Sequence, residues 1–206
     1  MNVLWQKLID AAQNSNRMVE FLKGDLFIGE KTGIELKIQP ESLLFTIVSN
    51  SGGIIINRWL RILGNDSDEI AGVKFYNTRF KKFTTGLFLV ACDVVGGLFA
   101  MELNCTNSNH SIIYFAPDTL EWESLNMSYE EFISWCFYGN IDEFYCSMRW
   151  KNWLEDVDKL DFNDGYLIYP FLWAKECNIE TATKHIVPLS EIIELNFQNG
   201  ERFANN

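Results

Sequence analysis

Apolar residues recur at near-helical spacing through residues 3–23, where Leu4, Leu8, Ala11 or Ala12, Val19 and Leu22 fall together. A polar break at Gln13–Arg17 makes this one broken helix or two short ones, ending at Gly24. Residues 25–39 fit helix and strand alike. From Leu43 the period changes. LLFTIVS, the turn Asn50-Ser51-Gly52-Gly53 and IIINRWLRIL predict two strands joined by a tight glycine turn. Within the second, Trp59, Arg61 and Leu63 alternate with Arg58, Leu60 and Ile62, so Trp59 and Arg61 are expected on one face. GLFLVACD and LFAMEL predict a further hairpin, with Asp93 at its end and Gly96-Gly97 marking a bulge or a close backbone approach. SIIYFAP predicts a strand stopped by Pro117.

Helices are predicted for most of the remainder. Ser128 and Glu131 form a capping-box pattern ahead of FISWCFYG, and Gly139 ends that helix. Another helix is expected over residues 141–154. YLIYPFLW reads as an aromatic strand or loop punctuated by Pro170. Pro188-Leu189-Ser190 leads into a C-terminal helix through Leu195, followed by a polar tail after Gly200. Strands in sequential hairpins, rather than alternating with helices, imply a mainly antiparallel sheet and an α+β class, with N-terminal and C-terminal helices packed on it. No internal repeat or low-complexity linker divides residues 1–206, so a single domain is expected. The 48% hydrophobic and 15% aromatic content supplies its core.

Charge narrows the partners. Twenty-eight acidic residues against 17 basic ones give a net −11, which repels phosphate backbones, so nucleic acid is not expected as a ligand. Between Asp118 and Asp164, twelve carboxylates against Arg149, Lys151 and Lys159 leave −9 of that −11. Such a run is a solvated helical surface or an acidic face for a basic partner. Cys92, Cys105, Cys136, Cys146 and Cys177 are odd in number and form no C-x-x-C, which points to reduced thiols in a reducing compartment. Lys7 and Asp10 interrupt the N-terminal segment where a signal peptide needs an apolar run, and no apolar stretch has membrane-spanning length. A cytoplasmic, soluble protein is the expectation.

The motifs that would carry chemistry are incomplete. Gly24 to Thr32 approaches a phosphate loop, but Glu30 intervenes before Lys31 and breaks the convergence of amides and ammonium. No G-x-S-x-G elbow is present. His110 and His185 lie far apart in polar surroundings without metal-ligand spacing, so neither a metal nor another cofactor is expected. Glu121-Trp122-Glu123, beside Pro117-Asp118 at a strand exit, places carboxylates next to a ring, as glycoside hydrolysis would need. The interleaved bases and rings from Lys74 to Phe83 suit a lysine-protected edge strand better than a single-strand binder. Arg149-Trp150 and Trp153 offer either core packing or interface anchors.

Several of these segments together resemble the bacterial domain-of-unknown-function 2625 family. The W-L-R-x-L-G run from Trp59, D-x-x-G-G-x-F-A from Asp93, F-A-P-D-x-L-x-W from Phe115 and R-W-x-x-W from Arg149 occur in order. The likeness runs from about Ser49 to Leu195, and the first forty residues match poorly. The order of elements is also similar to the SUKH superfamily, which includes the Smi1/Knr4 proteins. That resemblance implies an α+β fold and, for many bacterial members, an immunity role in neutralising basic toxins. The function expected is therefore a non-catalytic protein-binding module for a basic protein. Its binding residues would be Asp118, Glu121, Trp122, Glu123, Arg149 and Trp150, then Trp59, Arg61 and Asp93. The competing readings are a small-molecule-binding protein or hydrolase, with Asp93, Asp118, Glu121 or Glu123 as general acid or base in an aromatic cleft, and a homo-oligomer.

Overall fold

The hairpins expected between Leu87 and Pro117 form the middle of a seven-stranded antiparallel sheet, in a computed structural model that describes residues 3–103 and 111–204. Its strands are β1 (Val19–Lys23), β2 (Ser51–Ile56), β3 (Leu60–Leu63), β4 (Leu87–Asp93), β5 (Leu98–Glu102), β6 (Ile112–Phe115) and β7 (Trp122–Ser124). They lie side by side in chain order. A separate antiparallel ribbon pairs β8 (Asp164–Tyr169) with β9 (Thr183–Pro188). Eight helices are present among the described residues: α1 (Val3–Gln13), α2 (Leu26–Glu35), α3 (Leu43–Asn50), α4 (Val73–Arg79), α5 (Tyr129–Tyr138), α6 (Ile141–Phe144), α7 (Trp153–Val157) and α8 (Leu189–Ala204). The class is α+β.

Helices cover the large sheet on both faces. Tyr114 and Phe115 are neighbours on β6 and so project to opposite sides. On one side Phe144 meets Tyr114 with ring centroids 5.0 Å apart, and Phe132 of α5 meets Phe99 at 4.9 Å. On the other, Phe197 of α8 packs 4.7 Å from Phe115 and 4.8 Å from Phe83. With both faces dry, β3 and β6 are buried at every position, and hydrophobic alternation loses its meaning there.

Several elements depart from those expected. Residues 43–50 are helix α3, not a strand: Ser42 caps it by accepting from the Phe45 N–H at 3.0 Å, and the run is buried over most of its length. The turn then falls later, at Asn57 and Arg58, both left-handed (φ 49° and 54°), with the Trp59 N–H closing onto Ile56 O at 3.0 Å. The second half of the expected 3–23 helix is strand β1, paired with β2. The ambiguous stretch after it is helix α2. Residues 74–83, expected as an edge strand, begin in helix α4. Its N-terminus is capped from a distance: Asp66 accepts from the N–H groups of Gly72 (2.9 Å), Lys74 (3.0 Å) and Phe75 (2.9 Å). The helix expected over 141–154 is broken into α6 and α7, and α8 continues past Gly200 to Ala204. No helix among the described residues is long and apolar enough to cross a membrane.

Candidate functional site

The expected site residues separate into an interior group and a surface group. Asp93 ends β4 and is fully buried. Its Oδ1 accepts from the N–H groups of Val95 (3.1 Å) and Gly97 (2.9 Å), which shapes the β4–β5 turn with Gly96 at φ 92°. Its Oδ2 accepts from the Tyr114 hydroxyl at 2.7 Å. The Tyr145 hydroxyl also faces this carboxylate, without closing a hydrogen bond of good geometry. Burial pushes the Asp93 pKa up, and the hydrogen bonds pull against that rise. Such a carboxylate organises a turn; it does not reach a substrate from solvent.

Arg61 is likewise internal. It stands opposite Cys92 across the β3–β4 pair and sends its guanidinium to the turn before β8. Nη1 donates to the carbonyls of Phe162 and Asp164 (the latter at 2.7 Å), and Nη2 to the carbonyl of Asp161 at 3.3 Å. The Phe162 ring lies 5.3 Å below it. Burial lowers the Arg61 pKa from its ordinary value. The arginine therefore fastens the turn before β8 to the large sheet.

Trp59 and Arg149 make a third internal group. Trp59 has no exposed surface and sits in the β2–β3 turn rather than on a strand. Its ring centroid lies 5.6 Å from Tyr145, 5.9 Å from Trp150 and 5.4 Å from Trp153. The Arg149 guanidinium stacks 3.9 Å from the Trp153 centroid and 5.0 Å from Trp59, and Nη1 donates to Asp142 Oδ1 at 2.7 Å. Trp150 is buried as well, its Nε1 donating to Asp156 Oδ2 at 2.6 Å. Burial thus removes Trp59, Arg61, Asp93, Arg149 and Trp150 from the surface a partner would touch.

Asp118, Glu121, Trp122 and Glu123 remain. They occupy the β6–β7 connection and β7 itself, the terminal strand of the sheet. Pairing Tyr114 with Glu123, and the Ala116 N–H to Glu121 O bond at 3.0 Å, turn the backbones of Glu121 and Glu123 toward β6. The backbone groups of Trp122 and Ser124 therefore point outward, along an edge with no strand beyond it among the described residues. Glu121 and Glu123 are exposed and Asp118 is half-buried. No ion pair joins any of the three among the described residues. The Trp122 ring leans on Phe115 at 5.2 Å and stays half-buried.

Of the other motifs, the Gly24–Thr32 segment starts helix α2, where Asp25 Oδ1 accepts from the Ile28 N–H at 3.0 Å and occupies the place a phosphate would take. His185 is exposed on β9, while His110 and Cys105 lie outside the described residues. Among the described residues no three potential metal ligands cluster, and Cys92, Cys136, Cys146 and Cys177 are unbridged. Tyr114 and Tyr145, the partners of Asp93, were not anticipated. For Tyr114 the one local sign is a phenol set in an otherwise apolar run, which demands a buried hydrogen-bond partner somewhere; Tyr145, among charged and polar neighbours, carries no such sign.

Comparison with known proteins gives relatives without a known activity. Residues 2–192 match the profile of a family described as a protein of unknown function, DUF2625. The chain is 32% identical to the putative uncharacterized protein YbfG of Escherichia coli (strain K12), with 97% of this chain and 93% of that one covered. It is 30% identical to an uncharacterized protein of Haemophilus influenzae, with 97% and 91% covered. The matched region reaches back through α2, β1 and α1, so the first forty residues are part of it, contrary to the expectation from motifs alone.

Proposed function

The chain belongs to the DUF2625 family of proteins of unknown function, and from that premise we propose a non-catalytic protein-binding module whose docking surface is the free edge of β7. The observation that carries this reading is the coincidence, at one terminal strand, of outward backbone groups at Trp122 and Ser124 with exposed carboxylates at Glu121 and Glu123 that no ion pair engages among the described residues. An extended basic segment satisfies both: its backbone continues the ladder, and its cations meet the glutamates. Asp118 adds charge, and Trp122 supplies a half-exposed ring. Occlusion of a basic protein in this way is an immunity-type mechanism. The resemblance of the element order to the SUKH superfamily supports the same reading.

The test is capture from the native host's lysate at low and moderate salt, with the Glu121→Lys/Glu123→Lys chain alongside. A basic protein held stoichiometrically by the natural chain, and released by the double variant chiefly at low salt, supports the proposal. Equal retention by both chains overturns it.

A second reading rests on a cavity of about 460 Å³, of the size that holds small ligands. Leu36, Ile38, Leu44, Phe88 and Met101 give it an apolar wall, and Lys37, Gln39, Ser42, Ser128 and Glu130 are among its polar groups. A small molecule that raises the melting temperature, with the rise lost in Met101→Trp, would favour this site over the β7 edge.

A further inference from the structure

Helix α2 is amphipathic in the opposite sense to its neighbours. Its buried residues are the small ones, Gly29, Thr32 and Gly33, while Phe27 is 77% and Ile34 68% exposed. The cause is close approach to α3. A Cβ at Gly33 would stand 2.5 Å from the Phe45 ring, and one at Gly29 would run into the Val48 carbonyl. With only glycines admitted at that contact, the large apolar residues face solvent.

At about 100° per residue, Phe27 and Ile34, seven positions apart, form one stripe on the side of the helix turned away from the α3 contact. Glu30 flanks the stripe on one side and Lys31 on the other. Glu35 is already matched by Lys74 at 2.5 Å, so Lys31, 3.9 Å from it, is not needed there. We propose that this face is a dimerisation surface, and that its occupant is the α2 of a second copy of this chain, packed parallel about a two-fold axis.

Charge selects both the occupant and the direction. In a symmetric antiparallel pair each flank meets its own copy, setting Glu30 against Glu30 and Lys31 against Lys31. In a parallel pair each flank meets the other, so Glu30 faces Lys31 of the second copy twice over. Phe27 then meets Phe27, and Ile34 meets Ile34. A helix of ten residues is about 15 Å long, so its stripe alone buries less than the roughly 800 Å² per partner of a stable complex. The association is therefore weak and concentration-dependent. It lies outside the β7 edge and leaves that edge free on both copies.

Sedimentation equilibrium of the full chain tests this, with circular dichroism to show that the variants, all at exposed positions, remain folded. The weight-average mass should climb from 23.9 kDa toward twice that value as concentration rises. Phe27→Ser and Ile34→Ser should hold it at the monomer value. Glu30→Lys alone and Lys31→Glu alone should each weaken association about tenfold, and an equimolar mixture of these two chains should restore it. A natural chain that stays monomeric up to about 0.5 mM overturns the dimer. Single charge reversals that leave association unchanged overturn the parallel pairing.

Discussion

The Tyr114 hydroxyl reaches across β5 to donate a 2.7 Å hydrogen bond to Asp93 Oδ2, tying β6 to the end of β4. Both groups are buried, and the Asp93 carboxylate has its other oxygen committed to the Val95 and Gly97 N–H groups. Removing the phenol oxygen leaves a buried acceptor short of a partner. Tyr114→Phe should therefore lower the unfolding free energy by about 1–3 kcal/mol, read from urea denaturation.

The same pair sets a pH dependence. Burial raises the Asp93 pKa above its unfolded value. A carboxyl raised in the folded chain contributes most to stability below its unfolded pKa, and that contribution is lost as pH rises through the folded pKa. Asp93→Asn keeps one oxygen for the two turn N–H groups and removes the titration. The difference in stability between the variant and the natural chain should then change over that window, to the variant's advantage as pH rises. Parallel pH profiles for the two chains would show that Asp93 does not titrate in this way.

Arg61 makes a regional prediction. Its three bonds to the carbonyls of Asp161, Phe162 and Asp164 are donated by a single side chain. Arg61→Met should cost about 2–4 kcal/mol, because the carbonyls lose their donors together. In hydrogen exchange, amides of β8 should lose protection ahead of those of β5 and β6.

Helix α2 makes a prediction by contrast. Gly29→Ala places a methyl group against the Val48 carbonyl and should destabilise the chain by about 1–3 kcal/mol despite the better helix propensity of alanine. Phe27→Ala, at the solvent face of the same helix, should change the stability of the dilute chain by less than about 0.5 kcal/mol. Thermal unfolding of the two variants side by side checks the inverted orientation.

What could be read from the chain was what neighbours within a few positions control. The Ser128–Glu131 box closes as expected, with the Glu131 N–H donating to Ser128 Oγ at 3.3 Å and its carboxylate accepting from the Ser128 N–H at 2.7 Å. The β4–β5 hairpin forms with Asp93 at its end and its turn at Val94–Val95, closed by the Gly96 N–H donating to Asp93 O at 3.2 Å. The exposed acidic character of Glu121 and Glu123 was also legible, since a short edge strand tolerates charge.

Orientation and burial were decided elsewhere. Residues 43–50 and 73–79 became helices, the first capped by Ser42 and buried along much of its length, the second capped from a distance by Asp66. Trp59, Arg61, Arg149 and Trp150 resemble interface anchors in the linear chain, yet each is enclosed by residues up to about a hundred positions away, as Arg61 is by Phe162. A side chain's type states what it can bond to. Whether solvent, a partner or the protein's own interior supplies that bond depends on what the fold brings against it, and only the tertiary structure assigns that.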